Sequence, residues 1–417
     1  MSKNKLIPEL RFPELVSIGE WEYENGDELF EPISNKNHNS DLPILAITQE
    51  QGAIPRDLID YHVSVTEKSV ESYKVVEVGD FIISLRSFQG GIEYSNYLGL
   101  CSPAYIILRK KRDLIRDFYR HYFKSFLFIQ DLNRNLEGIR DGKMISYKQF
   151  SEILIPNPKK EEQQKIASCL TSLDELLAAH NDKLDALKDH KKGLMQNLFP
   201  QEGETLPKVR FKEFEDDGDW KLKELSELGY LVNGLTYSPD DVREKGLLVL
   251  RSSNIQNGLI DLNDCVYVRE DIKGVNPSET NDILVCVRNG SKNLIGKNAI
   301  IPKGVPPATH GAFMTVFRAI NPEFVFQLFQ TDFYDKQVKA DLGATINSIN
   351  GKNFIKYEFP VPKNLKEQQR IASCLSAVDE LITAQAKKIE QLQQHKKGLM
   401  QGLFPNPSAS SGETIES

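Results

Sequence analysis

The chain has 417 residues, of which 40% are hydrophobic and 27% are charged, and its formal net charge is −7 at pH 7. This length can bury two ordinary globular cores, whereas the acidic balance is unusual for a protein that binds DNA by itself. No apolar run approaches the roughly 20 residues of a membrane-spanning helix, which argues against a membrane protein.

The first part of the chain predicts a compact domain of mixed α and β structure. Short β-type runs occur at 43–48, 81–85 and 105–109, and an aromatic-rich helical stretch follows at 114–137. Side chains of the types that contact bases and phosphates lie in this domain, although such residues are common in any solvated loop. These candidates are Thr48, Gln49, Arg56, Arg86, Ser87, Gln89, Lys143 and Lys148.

A heptad pattern follows this domain. From Glu162 to Pro200, apolar residues are separated alternately by four and by three positions, which is typical of a coiled-coil helix. A helix of about 39 residues would be about 58 Å long. The apolar seam consists of Ile166, Leu170, Leu173, Leu177, Leu184 and Leu187.

The next part of the chain repeats the order of predicted strands and helix of the first domain, but most of its residues differ. Short β-type runs occur at 248–251, 283–287 and 313–318, and a helical stretch follows at 323–342. The segment TNDILVCVR echoes the earlier VGDFIISLR. The DNA-contact candidates of this domain are Arg251, Ser252, Ser253, Asn254, Gln256, Arg288, Asn289, Ser291, Lys292, Asn293, Lys297 and Lys352.

A second heptad segment, from Glu367 to Pro405, repeats the first one. Roughly 24 of the 39 aligned positions are identical, which indicates a duplicated chain. The domains ahead of the two segments differ far more than the segments do, which favours functional divergence over ordinary drift. The second seam consists of Ile371, Leu375, Val378, Ile382, Ile389 and Leu392.

Both seams contain two polar interruptions, His180 and Lys191 in the first and Gln385 and Lys396 in the second. If the helices pair in antiparallel fashion, His180 and Gln385 lie near the midpoints and could fix the register, as buried polar core residues do elsewhere. The alternative is that both side chains point partly to solvent.

Motifs that carry catalysis are missing from the sequence. There is no HExxH, GxSxG or Walker A motif, no NPPY-like or DPPY-like methyltransferase motif, and no nuclease-type D…ExK arrangement. The seven histidines are scattered singly, and the five cysteines contain no CxxC pair. We therefore expect a cytoplasmic, non-catalytic protein with no metal and no cofactor of its own. An enzyme with an unfamiliar site is a rival interpretation.

Several segments resemble the specificity subunit of type I restriction-modification enzymes. They are the opening PELRFPEL, its echo PKVRFKEF, the segments LRSSNIQ and VRNGS, and above all the doubled EQQ…HKKGLMQ heptad segments. The resemblance implies two target recognition domains and two conserved helices that pair as an antiparallel coiled coil. It also implies double-stranded DNA as a ligand and two modification subunits, which would bind S-adenosylmethionine and carry the methyltransferase chemistry. Restriction subunits would join this complex to make the nuclease.

The predicted organisation is an α+β protein with two similar recognition domains, each followed by a long helix. The divisions are target recognition domain 1 at 1–157, conserved helix 1 at 158–200, target recognition domain 2 at 201–361, conserved helix 2 at 362–405, and a disordered tail at 406–417. We expect the domains to read a bipartite, asymmetric DNA site. The alternative is a non-catalytic coiled-coil scaffold whose end domains bind proteins.

Overall fold

The structure of the chain is a computed structural model. It describes residues 7–59, 67–134, 145–342 and 347–405. The candidate Lys143 and the predicted tail at 406–417 lie outside the described residues. The chain forms two compact units, and the boundaries between them cut both long helices. The first unit comprises residues 1–181 and 387–417, and the second comprises 182–386.

The first unit contains ten strands and six short helices in its described part, together with one part of each long helix. The strands are β1 (Glu22–Asn25), β2 (Phe30–Ile33), β3 (Leu45–Thr48), β4 (Gly52–Pro55), β5 (Lys74–Val76), β6 (Phe81–Ile83), β7 (Glu93–Tyr94), β8 (Gly99–Cys101), β9 (Ile106–Lys110) and β10 (Leu154–Asn157). The helices are α1 (Gly26–Leu29), α2 (Glu67–Val70), α3 (Ser87–Gly90), α4 (Arg116–Tyr122), α5 (Phe126–Arg134) and α6 (Tyr147–Ser151). The first long helix is α7 (Lys160–Leu198).

The second unit repeats this plan with twelve strands and four short helices in its described part. The strands are β11 (Lys221–Glu224), β12 (Gly229–Asn233), β13 (Val242–Arg243), β14 (Leu247–Leu250), β15 (Ile255–Gln256), β16 (Leu259–Ile260), β17 (Val266–Val268), β18 (Ile283–Cys286), β19 (Asn298–Ile300), β20 (Ala308–His310), β21 (Met314–Ala319) and β22 (Glu358–Val361). The short helices are α8 (Leu225–Leu228), α9 (Pro322–Leu328), α10 (Asp332–Leu342) and α11 (Gly351–Phe354). The second long helix is α12 (Leu365–Leu403).

Each unit contains its own central four-stranded antiparallel sheet, and the two sheets have the same plan. The strand order is β2-β9-β6-β7 in the first unit and β12-β21-β18-β19 in the second, so equivalent strands occupy equivalent places. The six β-type runs predicted from the sequence coincide with β3, β6, β9, β14, β18 and β21. The predicted mixed α and β fold is therefore confirmed. The division of the chain at 157, 200, 361 and 405 stays a prediction.

The units differ in the smaller sheets beside this frame. In the second unit, β13-β17-β14-β20 form one four-stranded sheet, in which β14 and β20 are parallel. In the first unit the equivalent strands form two separate pairs, β3-β4 and β5-β8. A single parallel bridge between Ile44 and Leu100 marks the place of the β14-β20 pairing.

Aromatic side chains fill the core under each central sheet. In the first unit, Phe81 lies edge-on to Phe30 and Phe123, with ring centroids 5.5 and 5.1 Å apart. In the second, Phe329 contacts Phe317 and Phe354 at 5.9 and 5.8 Å. Full burial of each such ring contributes about 1.5–3 kcal/mol. Buried side chains of α4 and α5 supply part of the first core, and those of α9 and α10 supply part of the second.

A buried ion pair fastens the first domain to the beginning of α7. The Arg11 guanidinium donates from Nε to Glu162 Oε1 at 2.7 Å and from Nη2 to Oε2 at 2.6 Å. Its third group, Nη1, donates to the Gly19 carbonyl at 2.6 Å. Because the side chains of Arg11 and Glu162 are 6% and 1% exposed, this pair is shielded from water. Glu162 therefore holds Arg11, in addition to its favourable interaction with the helix dipole at the first turn.

The second unit repeats this clasp with equivalent residues. Arg210 donates to both carboxylate oxygens of Glu367, at 2.7 and 2.8 Å, and to the Gly218 carbonyl at 2.8 Å. Trp220 Nε1 also donates to Glu367 Oε1 at 3.3 Å. The sequence echo of Arg11 by Arg210 therefore reflects the same structural role in two places.

The backbone next to each arginine holds the end of the other long helix. Leu10 N donates to Gly402 O of α12 at 2.8 Å, and Val209 N donates to Asn197 O of α7 at 2.9 Å. A Cβ atom on Gly402 would lie 2.5 Å from the Leu10 side chain, so a larger residue there would have to displace that side chain. Each clasp thus contacts the first turn of one long helix and the last turn of the other.

The long-helix segments within each unit run antiparallel. In the first unit, Ile166 near the start of α7 shares a core with Leu403 at the end of α12. Further along α7, Asp174 forms an ion pair with Lys396, which precedes Leu403 in the sequence. In the second unit, Lys191 Nζ lies 2.7 Å from Asp379 Oδ1. The lysines that interrupt the predicted seams are therefore paired with aspartates of the antiparallel partner.

The predicted seam residues all lie at least partly inside the protein. Buried members are Ile166, Leu170, Ile371, Leu375, Val378, Ile389 and Leu392, and half-buried members are Leu173, Leu177, Leu184, Leu187 and Ile382. Of the two midpoint residues, Gln385 is 7% exposed and His180 is half-buried. The interpretation that both point partly to solvent is therefore wrong for Gln385.

A side chain from the globular domain joins each lysine–aspartate pair. His121 is 3% exposed, with Nε2 3.1 Å from Thr171 Oγ1 and Nδ1 3.7 Å from Asp174 Oδ2. Burial, followed by the charge of Lys396, lowers the pKa of His121 from 6.5 to about 4. His121 is therefore neutral at pH 7 in the folded protein.

The equivalent position in the second unit holds a side chain that does not titrate. Gln327 Nε2 donates to Asp379 Oδ2 at 3.0 Å, and Asp379 also pairs with Lys191. The chain thus places histidine in one unit and glutamine in the other for the same contact.

Removal of the Glu162 carboxylate is expected to destabilise the first unit. In Glu162→Ala, the buried Arg11 charge loses its partner, so the free energy of unfolding should fall by about 3–5 kcal/mol. Glu161→Ala is the matched control, because Glu161 is exposed in the same helical turn. It should lose only the helix-dipole contribution of about 0.3–1 kcal/mol. Urea unfolding followed by circular dichroism measures both, and equal losses would contradict the buried pair.

His121 is expected to make the first unit acid-sensitive. The unfolded state takes up a proton near pH 6.5 and the folded state only near pH 4, so stability is full above pH 6.5 and is lost as pH falls toward 4. Each unit of pKa difference corresponds to about 1.4 kcal/mol. His121→Gln, which reproduces the arrangement of Gln327, should remove this loss.

Urea unfolding at pH 7, 6 and 5 tests this pH dependence. The stability of His121→Gln relative to the unsubstituted chain should increase steadily as the pH falls. A His121→Gln difference that is the same at all three pH values would show that His121 does not titrate on unfolding.

Candidate nucleic-acid interface

The β3-β4 hairpin presents the first group of candidates in the first domain. Thr48 closes its turn, since Oγ1 donates to Gly52 O at 3.1 Å and accepts from Gln51 N at 3.0 Å. Gly52 has a φ of 72°, which glycine adopts without strain, and a Cβ there would lie 2.5 Å from Tyr94 O. The turn leaves Gln49 exposed at its tip.

The hairpin tip contacts the segment that follows β6. Gln49 Nε2 donates to Arg86 O at 3.2 Å, which brings together candidates 37 residues apart in the sequence. Lys124 reinforces the junction, because Nζ donates to Gln49 O at 3.3 Å and to Gly90 O at 3.0 Å. We call this region the first edge, comprising residues 48–52 and 84–90.

Lys124 supports the first edge from a neighbouring helical stretch, and the sequence interpretation missed it. Its ammonium group also donates to Glu93 Oε1 at 2.5 Å. Burial lowers the pKa of Lys124 and raises that of Glu93, and the two opposite charges offset part of both shifts. The sequence does contain a feature that could have marked this residue. Lys124 is the sole charged residue in the largely apolar run HYFKSFLFIQ.

The other candidates of the first domain have different surroundings. Ser87 is 1% exposed and its Oγ accepts from Ser84 N at 2.9 Å, so its hydroxyl supports the loop from inside. Gln89 is exposed on α3, at the first edge. Arg56 is half-buried directly after β4. Lys148 is exposed on α6, a helix that packs against α1 instead of the β3-β4 hairpin.

The same two segments meet in the second domain. Asn289, which follows β18, donates from Nδ2 to the Oγ of Ser252, which follows β14, at 3.1 Å. Arg251 Nη2 donates to Asp264 Oδ2 at 2.8 Å. In the described part of the chain, the buried atoms Arg251 Nε and Ser253 Oγ have no hydrogen-bond partner. We call this region the second edge, comprising residues 251–256 and 287–293.

Asn254 supports the second edge from inside. It is fully buried, accepts from Arg251 N at 2.8 Å, and donates to Asp261 O and Asp264 O at 2.9 Å each. Its amide is fully used within the loop and is not presented to a ligand. The sequence could not separate this role from base contact, because asparagine serves both.

Arg288 lies on an exposed aromatic ring at the second edge. Its guanidinium carbon is 5.3 Å from the ring centroid of Phe313, a side chain that is 59% exposed. The backbone amides of Val287 and Arg288 both donate to Phe313 O, at 3.1 and 3.0 Å. Phe313 was not among the predicted site residues, and no sequence motif marks it.

The comparisons with known proteins place the chain in a family. A family model described as Type I restriction modification DNA specificity domain matches residues 15–189 and 217–394. The chain belongs to this family. The two matches show that the duplication is a repeat of the whole specificity domain, from the globular part into the long helix.

Relatives and solved structures agree with this assignment. The type I restriction enzyme MjaVIII specificity subunit of Methanocaldococcus jannaschii is 26% identical over 362 residues, which cover 82% of this chain and 81% of that protein. A putative MjaX specificity subunit of the same organism is 25% identical over 424 residues, covering 93% and 95%. The crystal structure of an S subunit from M. genitalium has a similar fold, with a TM-score of 0.59 at 15% identity, and covers 96% of this chain and 99% of that one.

An arginine–aspartate clamp links two strands of the central sheet in each unit. Arg109 donates from Nε and Nη2 to the two carboxylate oxygens of Asp80, both at 2.8 Å, and links β9 to the start of β6. Arg318 and Asp282 repeat this geometry between β21 and β18. The sequence interpretation missed these pairs, although an E-x-x-D spacing precedes both β6 and β18.

The remaining candidates of the second domain lie on the second edge or elsewhere in the second unit. Gln256 is exposed and donates to Ser253 O at 3.0 Å, and Ser291 N donates to Asn289 Oδ1 at 3.0 Å. Lys292 and Asn293 are exposed in a short 3-10 turn. Lys297 is half-buried after that turn, and Lys352 is exposed on α11.

Two classes of feature do not occur in the described part of the chain. No three histidine, cysteine, aspartate or glutamate side chains there are grouped so that they could hold a metal ion. None of the helices there is both long and apolar enough to cross a membrane.

Proposed function

We propose that this chain is the DNA-sequence-specificity subunit of a type I restriction-modification complex and reads a bipartite, asymmetric DNA site. One observation carries the proposal. Both domains bring the segment after β3 or β14 into contact with the segment after β6 or β18, so each offers one edge of polar side chains on the same frame.

The chemistry of the two edges differs, which supports two unlike half-sites. The contact between segments is made by Gln49 and a backbone carbonyl at the first edge, and by Asn289 and Ser252 at the second. Amide, hydroxyl and guanidinium groups recognise different base edges in the major groove. Two edges with different groups are therefore expected to select different sequences.

The long helices would act as the spacer that holds the two recognition domains apart. Both α7 and α12 contain 39 residues, which corresponds to about 58 Å of helix. Half-sites about one turn of DNA apart, roughly 34 Å, are compatible with this length. The target would then contain an unread spacer between its halves.

Catalysis is assigned to partner subunits in this proposal. Two modification subunits would dock on this chain, bind S-adenosylmethionine and methylate the site, and restriction subunits would join them. Partners also account for the net charge of −7, because they can supply phosphate contacts that this acidic chain lacks. The isolated chain would itself be non-catalytic.

The proposal predicts a split, asymmetric methylated motif. The chain would be co-expressed with its modification subunit in a host that lacks other adenine methylation, and single-molecule sequencing would map the modified bases. Two unlike half-sites separated by unspecified bases are expected. A palindromic motif would contradict the divergence of the two edges.

The complex without this chain is the control, and it should leave the genome unmethylated. If a well-formed complex with this chain methylates no motif, the specificity role fails and a protein-binding scaffold becomes the better account.

A further inference from the structure

Most arginines in the described part of the chain have polar partners for their guanidinium groups. Arg109 and Arg318 are held by aspartates, and Arg11 and Arg210 by glutamates. At the second edge, Arg251 pairs with Asp264, so a DNA base would have to compete with a carboxylate for it. Guanidinium groups that are already paired are poor candidates for reading bases.

Arg86 and Arg288 differ from these arginines. Both side chains are exposed, and among the described residues neither guanidinium has a hydrogen-bond acceptor or a carboxylate partner. Each guanidinium thus presents five N–H donors that have no acceptor in the described part of the chain.

The two arginines occupy equivalent positions in the duplicated frame. Each lies six residues after the clamp aspartate, Asp80 or Asp282, and just beyond the end of β6 or β18. Two domains that otherwise differ in their edge chemistry have therefore kept an unpaired cation at the same place. Both arginines thus occupy the same place in the frame, and both guanidinium groups are accessible to a ligand.

The backbone fixes both residues while leaving their side-chain tips free. Arg86 N donates to Ser84 Oγ at 3.2 Å and Arg86 O accepts from Gln49. Arg288 is restrained further, because its guanidinium stacks on the Phe313 ring. A cation held over a ring loses less freedom when it binds, and its planar fork keeps its outer N–H groups available.

We infer that Arg86 and Arg288 are specificity-determining residues, each of which reads one guanine in the half-site of its own domain. A guanidinium donates in bidentate fashion to guanine O6 and N7, a pair of acceptors that no other base offers in the major groove. The inference rests on the proposed function, and it adds that each half-site contains a guanine.

The first test uses Arg288→Ala, Arg288→Lys, Arg86→Ala and Arg86→Lys in the chain co-expressed with its modification subunit. Among the methylated sites, the preference for guanine at the matching position should fall by about 5- to 150-fold. The preferences at the other positions of that half-site should not change. Lysine should not restore it, because an ammonium group lacks the planar fork. The Arg288 and Arg86 variants should relax different half-sites.

Arg243→Ala is the control for these variants. Arg243 is exposed in the same unit as Arg288, but its guanidinium donates to the carbonyls of Asp240 and Val242. Its removal should leave the motif unchanged. Restoration by lysine together with uniform weakening across the motif would identify a phosphate contact and overturn the inference. An unchanged motif in both alanine variants would overturn it as well.

A second test needs no variant and therefore does not depend on folding. The unsubstituted complex would be assayed on duplexes in which each guanine of the motif is replaced in turn by 7-deazaguanine, which lacks the N7 acceptor. One position in each half-site should lose about 10- to 150-fold in affinity, because one of the two hydrogen bonds from the charged guanidinium is removed. A half-site without any guanine, or without a sensitive one, would overturn the inference.

The outcomes separate this inference from the proposed function. If the unsubstituted complex methylates no split motif, the proposed function fails before the arginines are considered. If it methylates a split motif that the arginine variants and 7-deazaguanine leave unchanged, only the assignment of Arg86 and Arg288 fails.

Discussion

The architecture depends on a buried arginine–glutamate pair at each domain. Arg11 with Glu162, and Arg210 with Glu367, make two parallel hydrogen bonds within 2.8 Å, and both glutamates are at most 1% exposed. Buried ion pairs often contribute little net stability, but loss of one partner is costly, so they favour a single arrangement. The pairs fix where each globular domain meets its long helix.

This fixed junction separates the part of the molecule that is repeated in both units from the part in which the units differ. The clasps, the lysine–aspartate pairs and the arginine–aspartate clamps recur in both units with equivalent partners. The segments after β3 and β6, and after β14 and β18, carry different side chains on this common frame. Change at the edges therefore leaves the framework intact, which is what a protein needs if its targets are to diverge.

The sequence predicts the features that depend on local periodicity. The heptads predict the long helices, and the short apolar runs predict strands of the central sheets. The candidates Gln49 and Arg86, and Ser252 and Asn289, fall where the segments meet, because each follows a recognisable strand. The partners of Arg109 and Lys396 could not be predicted, because those contacts join residues far apart in sequence. Residue type also could not reveal that Ser87 and Asn254 face inward, since loop geometry decides this.

If each recognition domain reads its half-site independently on one repeated frame, a chain with two identical domains should read a symmetric site. Residues 207–361 would be replaced by residues 8–157, so that Arg11 and its neighbours form the clasp in both units. Methylome sequencing of the resulting complex should reveal a motif whose two halves are identical and inverted, each equal to one half of the original motif. A motif that keeps both original halves would contradict the account.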